Sequence, residues 1–407
     1  AAPTDGKKVT LSCWVKRGIL TGNYYILQSG AGTGNNNYTG FYFRSDHTLQ
    51  VSMYSVTPRV TTQVFRDSSA WYHFVVAFDT TQGAADDRCK LYVNGEQVTS
   101  FSINGSIPLN TLIAFTKQSQ ANYIGTASDE GTYFDGYMTE INLIDGQQLT
   151  PTDFGQINET TGAWEAIEYT GTYGNNGYYL KGRGTDNSGN GNNWTENNFN
   201  TATSTATTYD IMTDVPTLTD EDTANYATLN PLVPTHAAIT FSEGNLKHTS
   251  ANTGWSLGLS TIKLPTSGKF YWENTITINP TLNVMFGVYN PEQNTQSGSG
   301  YLQTGGTIFY FGNGTKYING TSSAYGATFA VTDLIGVAID LDANTITFYK
   351  NNVSQGAISL PANMIGTSLC AAIQGIASAG EINFGQRPFT YTPPTGYLKL
   401  NTFNLPD

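Results

Sequence analysis

The chain has 407 residues, of which 13% are aromatic and only 12% are charged, and its formal net charge is −12. Disordered chains are poor in aromatic residues and rich in charge, so this composition excludes disorder of the whole chain. Binding to nucleic acid needs clustered Lys and Arg, whereas the 19 basic residues are scattered along this sequence. No apolar run approaches the ~20 residues of a membrane-spanning helix. We therefore expect neither nucleic-acid binding nor membrane insertion.

The sequence opens Ala-Ala-Pro without Met, which indicates a mature form or a fragment.

Strand-like alternation begins close to the first residue. Apolar and polar residues alternate over Val9–Lys16, and four large side chains share one face of Trp71–Asp79: Tyr72, Phe74, Val76 and Phe78. Asn94-Gly95 then predicts a two-residue hairpin turn. These short strands, separated by Gly, Asn and Asp, are typical of antiparallel sheets packed as a sandwich.

Helical signals are rare, and the best one is a single turn at Leu149–Phe154. Thr150 stands at the N-cap position, Pro151 at the first helical position and Asp153 at the third. This spacing is that of a capping box with proline at the start of a helix. We expect one short turn there and strands almost everywhere else.

A second β-rich region starts near Phe241, and it includes a predicted hairpin around Asp342–Asn344. Between the two regions, 182–235 is rich in Asn, Thr and Asp, with no Lys or Arg from Arg183 to Lys247. The predicted fold is all-β, with two antiparallel jelly-roll β-sandwiches joined by an irregular acidic connector. The predicted boundaries are 1–181 for the first domain, 182–235 for the connector, 236–392 for the second domain and 393–407 for a C-terminal tail.

Three cysteines cannot all pair within one chain. Cys13, Cys89 and Cys370 each lie in an apolar, strand-like context. We favour three buried thiols that act as small apolar side chains. The alternative is a Cys13–Cys89 disulfide.

No constellation of catalytic residues stands out. The sequence has no phosphate-binding loop, no metalloprotease helix and no nucleophile elbow, and its four histidines are isolated from one another: His47, His73, His236 and His248. Glycoside hydrolysis needs two carboxylates ~5–10 Å apart, a spacing that residues i and i+2 of a strand provide. The candidates Asp340/Asp342 and Asp220/Asp222 lie at a hairpin and in the connector, not among aromatic residues. We therefore expect a protein without catalytic residues, cofactor or resident metal.

One acidic cluster has the composition of a calcium site. Asp129, Glu130 and Asp135 are close in sequence, and carboxylate oxygens are suitable ligands for Ca²⁺. A solvated acidic turn before a strand has the same composition, and we favour that interpretation. Calcium binding at these three residues stays an open alternative.

Five motifs occur in a fixed order in the first region: Leu11–Lys16, Ala70–Val76, Lys90–Gly95, Tyr123–Gly125 and Phe134–Ile141. Together they resemble concanavalin A-like, laminin-G-like domains over about 8–180. Five further motifs occur in the second region: Gly268–Glu273, Phe286–Val288, Ile335–Asp340, Thr347–Asn351 and Ile382–Phe389. This second set resembles SPRY domains. The resemblances imply a two-sheet jelly roll followed by a second sandwich that binds partners through its loops.

Three further segments, Asn187–Trp194, Asn225–Pro231 and Pro394–Asn401, resemble proteins of marine tailed bacteriophages that are taken for head fibres, decoration proteins or tail fibres. The resemblance implies a homo-oligomeric appendage on the virion surface that binds other virion proteins or host-surface glycans. It supplies no catalytic residue. A secreted bacterial adhesin or carbohydrate-binding protein is the main alternative, and a jelly-roll glycanase is a further one.

Overall fold

The computed structural model describes residues 1–30, 37–53, 55–118, 120–197, 199, 210–233, 238–251, 253–279, 282–293 and 305–406. The chain divides into two compact units, Ala1–Phe199 and Asn200–Asp407. Helical structure in the described residues is limited to short 3-10 turns at Asp86–Arg88, Ala114–Thr116, Pro151–Asp153 and Thr402–Asn404. None of the helices described is long and apolar enough to cross a membrane. The predicted all-β class is confirmed.

The strands of the first unit are β1 (Lys8–Arg17), β2 (Tyr24–Ser29), β3 (Thr39–Phe43), β4 (Thr48–Met53), β5 (Val56–Val64), β6 (Trp71–Asp79), β7 (Cys89–Val93), β8 (Glu96–Gln97), β9 (Phe101–Asn104), β10 (Asn122–Ile124), β11 (Gly136–Asp145), β12 (Gly155–Ile157), β13 (Trp164–Ala166) and β14 (Tyr178–Leu180). Two six-stranded antiparallel sheets result. The back sheet has the order β14-β11-β1-β6-β7-β8, and the front sheet has the order β10-β2-β3-β4-β5-β9. β12 and β13 form a separate two-stranded sheet.

The core of the first unit lies between the back and front sheets. Alternation on β6 places Phe74, Val76 and Phe78 in this core, as predicted. The opposite face of β6 is buried too, because Val75 and Ala77 pack under a second apolar layer that includes Phe154. Burial on both faces explains why β6 is the most continuously apolar strand of the unit. The outer face of the back sheet is therefore covered.

Several local predictions are confirmed by this arrangement. Asn94 and Gly95 have φ values of 48° and 86° and join β7 to β8 as a tight hairpin. Pro151–Asp153 is a single 3-10 turn, and Asp153 Oδ2 accepts a hydrogen bond from the Thr150 backbone N–H at 2.9 Å. The three cysteines are free and buried, so the alternative Cys13–Cys89 bridge is not formed.

The strands of the second unit are β15 (Ile239–Ser242), β16 (Lys247–Ser250), β17 (Ser256–Leu259), β18 (Lys269–Ile278), β19 (Val284–Tyr289), β20 (Thr307–Phe311), β21 (Thr315–Ile318), β22 (Thr321–Ala324), β23 (Leu334–Asp340), β24 (Thr345–Lys350), β25 (Val353–Ser359), β26 (Cys370–Gly375) and β27 (Ala379–Asn383). A seven-stranded sheet has the order β15-β16-β27-β18-β23-β24-β25, and a six-stranded sheet has the order β17-β26-β19-β20-β21-β22. Their core contains Trp272, Phe286 and Phe348. β23 and β24 form the predicted hairpin.

The boundary between the units falls inside the segment predicted as a connector. Trp194 packs against Tyr178 of the first unit with ring centroids 5.1 Å apart. Tyr226 and Leu229 are buried in the core of the second unit, and so is Leu400 of the predicted tail. Because these large side chains are buried, the described parts of the predicted connector and tail belong to the two units and are packed against their cores. Residues 198, 200–209 and 234–235 of the predicted connector lie outside the described residues.

Candidate functional site

Two rows of side chains cross the outer face of the front sheet. On β3, Phe41 and Phe43 point into the core, so Gly40 and Tyr42 point outward. Cross-strand pairing then defines one row on four strands, Tyr123, Gln28, Gly40 and Ser52, and a second row on five strands, Tyr25, Tyr42, Gln50, Val60 and Ile103. In the second row Val60 is only 1% exposed, so the row reaches the surface at Tyr25, Tyr42 and Gln50 and again at Ile103.

Three half-buried tyrosines dominate this surface, which we call the tyrosine face: Tyr25, Tyr38 and Tyr42. The rings of Tyr25 and Tyr42 stack with centroids 4.5 Å apart and planes 29° apart. The hydroxyls of Tyr25 and Tyr38 are 3.3 Å apart, and Ser52 Oγ donates to Tyr38 Oη at 3.0 Å. Stacking and hydrogen bonding hold the three rings in one arrangement.

Gly40 makes room for the ring of Tyr38. A Cβ atom on Gly40 would lie 2.6 Å from Tyr38 Oη and 3.1 Å from Ser52 Oγ, both closer than van der Waals contact. The absent side chain thus allows the phenol to reach over the strand to Ser52. A glycine with an ordinary φ in the middle of a strand often marks such a close approach.

The charges beside the tyrosine face are balanced. The Arg44 guanidinium lies near Tyr42 and pairs with Asp46, with Nη2 and Oδ2 3.4 Å apart. Burial raises the pKa of Tyr25, the hydrogen bond with Tyr38 raises it further, and Asp129 adds a smaller effect. Burial also raises the pKa of Tyr42. Both phenols are therefore neutral at physiological pH and offer an O–H donor, an oxygen acceptor and an apolar ring.

The acidic residues for which calcium binding was the open alternative lie at the turn before β11. Asp129 Oδ1 accepts a hydrogen bond from the Gly131 backbone at 3.2 Å, Glu130 has a left-handed φ of 51°, and the Asp135 carbonyl accepts from the Gly18 backbone at 3.0 Å. Among the described residues, no three His, Cys, Asp or Glu side chains are grouped as metal ligands. The hydrogen bonds from the Gly131 and Gly18 backbones are typical of an acidic turn.

The carboxylate pairs considered for glycoside hydrolysis hold local structure. Asp340 Oδ2 lies 2.9 Å from Lys269 Nζ, and Asp342 Oδ1 accepts from the Gly268 backbone at 2.8 Å. Asp220 Oδ1 accepts from the Asp222 backbone at 2.9 Å. Through these bonds each carboxylate stabilises the local structure of this chain.

The described histidines lie on separate elements, His47 and His73 in the first unit and His248 in the second. His73 is fully buried on the outer face of the back sheet, and His248 is buried in the second unit between β15 and β27. Burial lowers the pKa of His73 to about 3 and that of His248 to about 4. His47 lies in the turn between β3 and β4, and His236 lies outside the described residues. Both buried imidazoles are neutral at physiological pH.

A buried carboxylate in the second unit was not singled out from the sequence. Glu273 is 3% exposed and alternates with the core residue Trp272, so it faces the outer side of the seven-stranded sheet. It accepts hydrogen bonds from the Thr390 backbone at 2.8 Å, the Tyr391 backbone at 2.9 Å and the Tyr271 hydroxyl at 3.1 Å. Glu273 therefore anchors the chain after β27 to this sheet.

The tyrosine face was also missed in the sequence. The pattern Tyr38-Thr-Gly-Phe-Tyr42 indicates a strand with Gly40 and Tyr42 on its polar face. That signal was available, but it does not reveal that Tyr25 and Ser52 lie on the neighbouring strands. Only the pairing of β2, β3 and β4 brings these residues together.

Comparison with known proteins divides the chain in the same way. A family model described as the concanavalin A-like lectin/glucanases superfamily matches residues 1–155, and the model of the SPRY domain matches residues 245–387. An ATP-dependent RNA helicase of Drosophila melanogaster is 30% identical over 132 residues, which are 32% of this chain and 17% of the helicase. Ran-binding protein 10 of Danio rerio is 38% identical over 78 residues, 18% of this chain and 12% of that protein.

The chain thus spans less than a fifth of the length of either relative. Among solved structures, the SPRY domain of human HERC1 is similar, with a TM-score of 0.32 and 19% identity over 37% of this chain and 95% of that chain. The two matched families correspond to the two units of the fold. The chain therefore contains a concanavalin A-like, laminin-G-like domain followed by a SPRY domain.

Proposed function

We propose that this chain is a non-enzymatic appendage on the surface of a tailed-phage virion, where it binds host-surface glycans or other virion proteins. The observation that carries the proposal is the tyrosine face, an ordered row of aromatic and amide side chains on an outer sheet surface. Rigid aromatic rings with polar tips are enriched in binding surfaces. The face belongs to a domain class that often binds ligands, and SPRY domains generally mediate protein interactions.

The surroundings of the buried or hydrogen-bonded carboxylates and of His73 favour a binding role over an enzymatic one. Asp340 and Asp342 hold a hairpin, Glu273 anchors a chain segment, and His73 is sealed between layers of the fold. Catalytic groups need access to substrate and a partner placed for proton transfer. We therefore expect no hydrolysis of polysaccharides by the purified protein.

The phage-like segments support placement on a virion. Asp186, beside the motif Asn187–Trp194, accepts hydrogen bonds from the backbones of Tyr179, Ser188 and Asn192 at 2.8–3.0 Å. Trp194 closes the loop against Tyr178. The ion pair of Arg183 with Glu196, with Nη2 and Oε2 2.7 Å apart, holds the two ends of this loop.

The test is mass spectrometry of purified phage particles, followed by labelling with antibody against the SPRY domain. We expect the chain at many copies per particle and the antibody on the outside of intact virions. Recovery only as a soluble protein of the host cell, or epitopes reached only after the capsid is opened, would defeat the assignment. Recovery from bacterial culture fluid without any associated particle would favour the secreted adhesin.

A further inference from the structure

We propose that β22 is the contact through which two copies of this chain associate, by antiparallel pairing of the two β22 strands about a two-fold axis at Ser323. β22 is the edge strand of the six-stranded sheet in the SPRY domain, and its four residues are exposed. The inference concerns contacts between copies and goes beyond the proposed function, since it does not depend on where the protein acts.

The turn of the β21–β22 hairpin determines which backbone groups of β22 are free. Asn319 and Gly320, with φ values of 48° and 82°, form its two-residue turn. Ile318 and Thr321 are therefore the closing, hydrogen-bonded pair of the hairpin. Along an antiparallel ladder, hydrogen-bonded pairs alternate with pairs that are not hydrogen-bonded.

The alternation leaves two residues of β22 with outward backbone groups. The Ser323 backbone bonds to β21, whereas Ser322 and Ala324 direct their N–H and C=O groups outward at the edge of the sheet. The Tyr325 N–H, in phase with Ser323, donates to the Gly314 carbonyl at 3.1 Å, as this alternation requires. Two donors and two acceptors of β22 are thus open to a further strand.

The edge at β22 lacks the usual protection. Natural proteins protect edge strands with charged side chains, with proline or with a bulge, whereas β22 is Thr-Ser-Ser-Ala in regular register with β21. β25, the edge strand of the neighbouring sheet, is protected. Its pairing with β24 contains a register shift, the Ser354 hydroxyl accepts from the Gly356 N–H at 3.2 Å, and the Tyr325 hydroxyl donates to the Gly356 carbonyl.

The charge distribution favours a second copy of the chain as the occupant. Two copies approach against mutual repulsion, because each has a net charge of −12. From residue 305 to residue 332 the only charged side chain is Lys316, and from residue 351 to residue 380 there is none. These stretches contain β22 and β25, which the bond from Tyr325 to Gly356 holds side by side. This uncharged side of an acidic protein is where identical molecules can meet without repulsion.

The strand is also complementary to itself. When Ser323 lies opposite Ser323 of the second copy, Ser322 lies opposite Ala324 of that copy, and the reverse pair follows by symmetry. Each of these two pairs exchanges two N–H···O=C bonds, so the outward groups of both strands are satisfied. The two six-stranded sheets become one continuous sheet. Both molecules use the same patch, as a two-fold dimer requires.

The experiment is disulfide trapping in the full chain with a mild copper oxidant, followed on non-reducing gels. At the axis, Ser323 and its counterpart form a pair without hydrogen bonds, whose Cα atoms are ~4.5 Å apart and within reach of a disulfide. Ser323→Cys should therefore give a covalent dimer. The native cysteines are buried, so the introduced thiol is the exposed one. Ser322→Cys is the matched control, because its two Cα atoms would be about 8 Å apart, and its dimer should form at least tenfold more slowly.

A second variant removes a hydrogen bond of the contact. Ala324→Pro, added to Ser323→Cys, deletes an outward N–H and leaves the bonds to β21 in place, so trapping should slow at least tenfold. Ser354→Cys on β25 tests the protected edge and should be as slow as Ser322→Cys. Thermal unfolding verifies that each variant is folded.

Three outcomes would overturn the inference: Ser323→Cys stays monomeric, Ser322→Cys is trapped at the same rate, or Ser354→Cys is trapped faster. Trapping of Ser323→Cys only by another protein of purified particles would assign the edge to that protein and contradict self-pairing. Trapping is measured on the purified chain and the virion assignment on particles, so either can fail while the other stands.

Discussion

Trp164 Nε1 donates a hydrogen bond to His73 Nδ1 at 2.9 Å, and this contact fixes the tautomer of a fully buried imidazole. Since Nδ1 accepts, the ring proton is on Nε2, which donates to Ser12 Oγ at 2.8 Å. Trp14 also stacks on this imidazole, with ring centroids 4.9 Å apart. The contact joins β13 to the back sheet and seals His73 from water.

The first prediction concerns pH. Burial lowers the pKa of His73 from 6.5 to about 3, so the unfolded chain takes up a proton before the folded one does. The stabilisation is complete above about pH 6.5 and declines as the pH falls, by up to ~1.4 kcal/mol per pH unit, until about pH 3. Denaturant unfolding at pH 7, 6, 5 and 4, followed by tryptophan fluorescence, should show this decline. His73→Gln is the control that removes the titrating group, and equal pH dependence in both proteins would contradict the assignment.

The second prediction concerns Gly95, where the hairpin turn and the ring of Trp164 meet. Gly95 has a φ of 86°, and a Cβ atom there would lie 2.9 Å from the Trp164 ring. Gly95→Ala should therefore lower the free energy of unfolding by about 2–4 kcal/mol, since backbone strain and steric overlap both act. Gly125 has a φ of 74°, but the space around an added Cβ atom is open. Gly125→Ala should therefore lower the free energy of unfolding by only about 1 kcal/mol. Equal losses in the two variants would show that the ring of Trp164 moves aside without lowering the free energy of unfolding.

The third prediction concerns the anchor in the SPRY domain. In Glu273→Gln, one oxygen becomes an NH₂ group that faces the Thr390 or Tyr391 backbone donor. We expect a loss of about 2–3 kcal/mol in the free energy of unfolding and faster hydrogen exchange at both amides. Glu292→Gln, which alters an exposed ion pair with Lys263, should change stability by no more than ~0.5 kcal/mol. Unchanged exchange at Thr390 and Tyr391 would contradict the anchoring role.

The fourth prediction concerns the three cysteines. All are buried, and burial raises the pKa of Cys89 to about 12 and that of Cys370 to about 11. Burial raises the pKa of Cys13 too. Because the thiolate is the reactive form, the folded protein should react with a thiol reagent at least a hundredfold more slowly than the chain in denaturant. Denaturation without reductant should release three reactive thiols, and recovery of only one would indicate a disulfide.

The sequence by itself determined the local structure. Period-two alternation predicted β1 and the core face of β6, the Asn94-Gly95 dipeptide predicted the hairpin, and Thr150 with Asp153 predicted the 3-10 turn at Pro151–Asp153. These features depend on residues near one another in the chain, whose side-chain direction and backbone preference are set locally. The family motifs were likewise visible, because they follow individual strands.

Only the tertiary structure decided which strands are neighbours and which faces are covered. The tyrosine face joins residues 25, 38, 42 and 52 through the pairing of three strands, and a shift of one residue in any pair would turn a tyrosine into the core. Glu273 reads as an ordinary strand carboxylate until the chain returns over it more than a hundred residues later. The sequence likewise places His73 within a strand but does not reveal that Trp164 covers it. Long-range contacts of this kind result from the packing of the whole domain, so no local pattern encodes them.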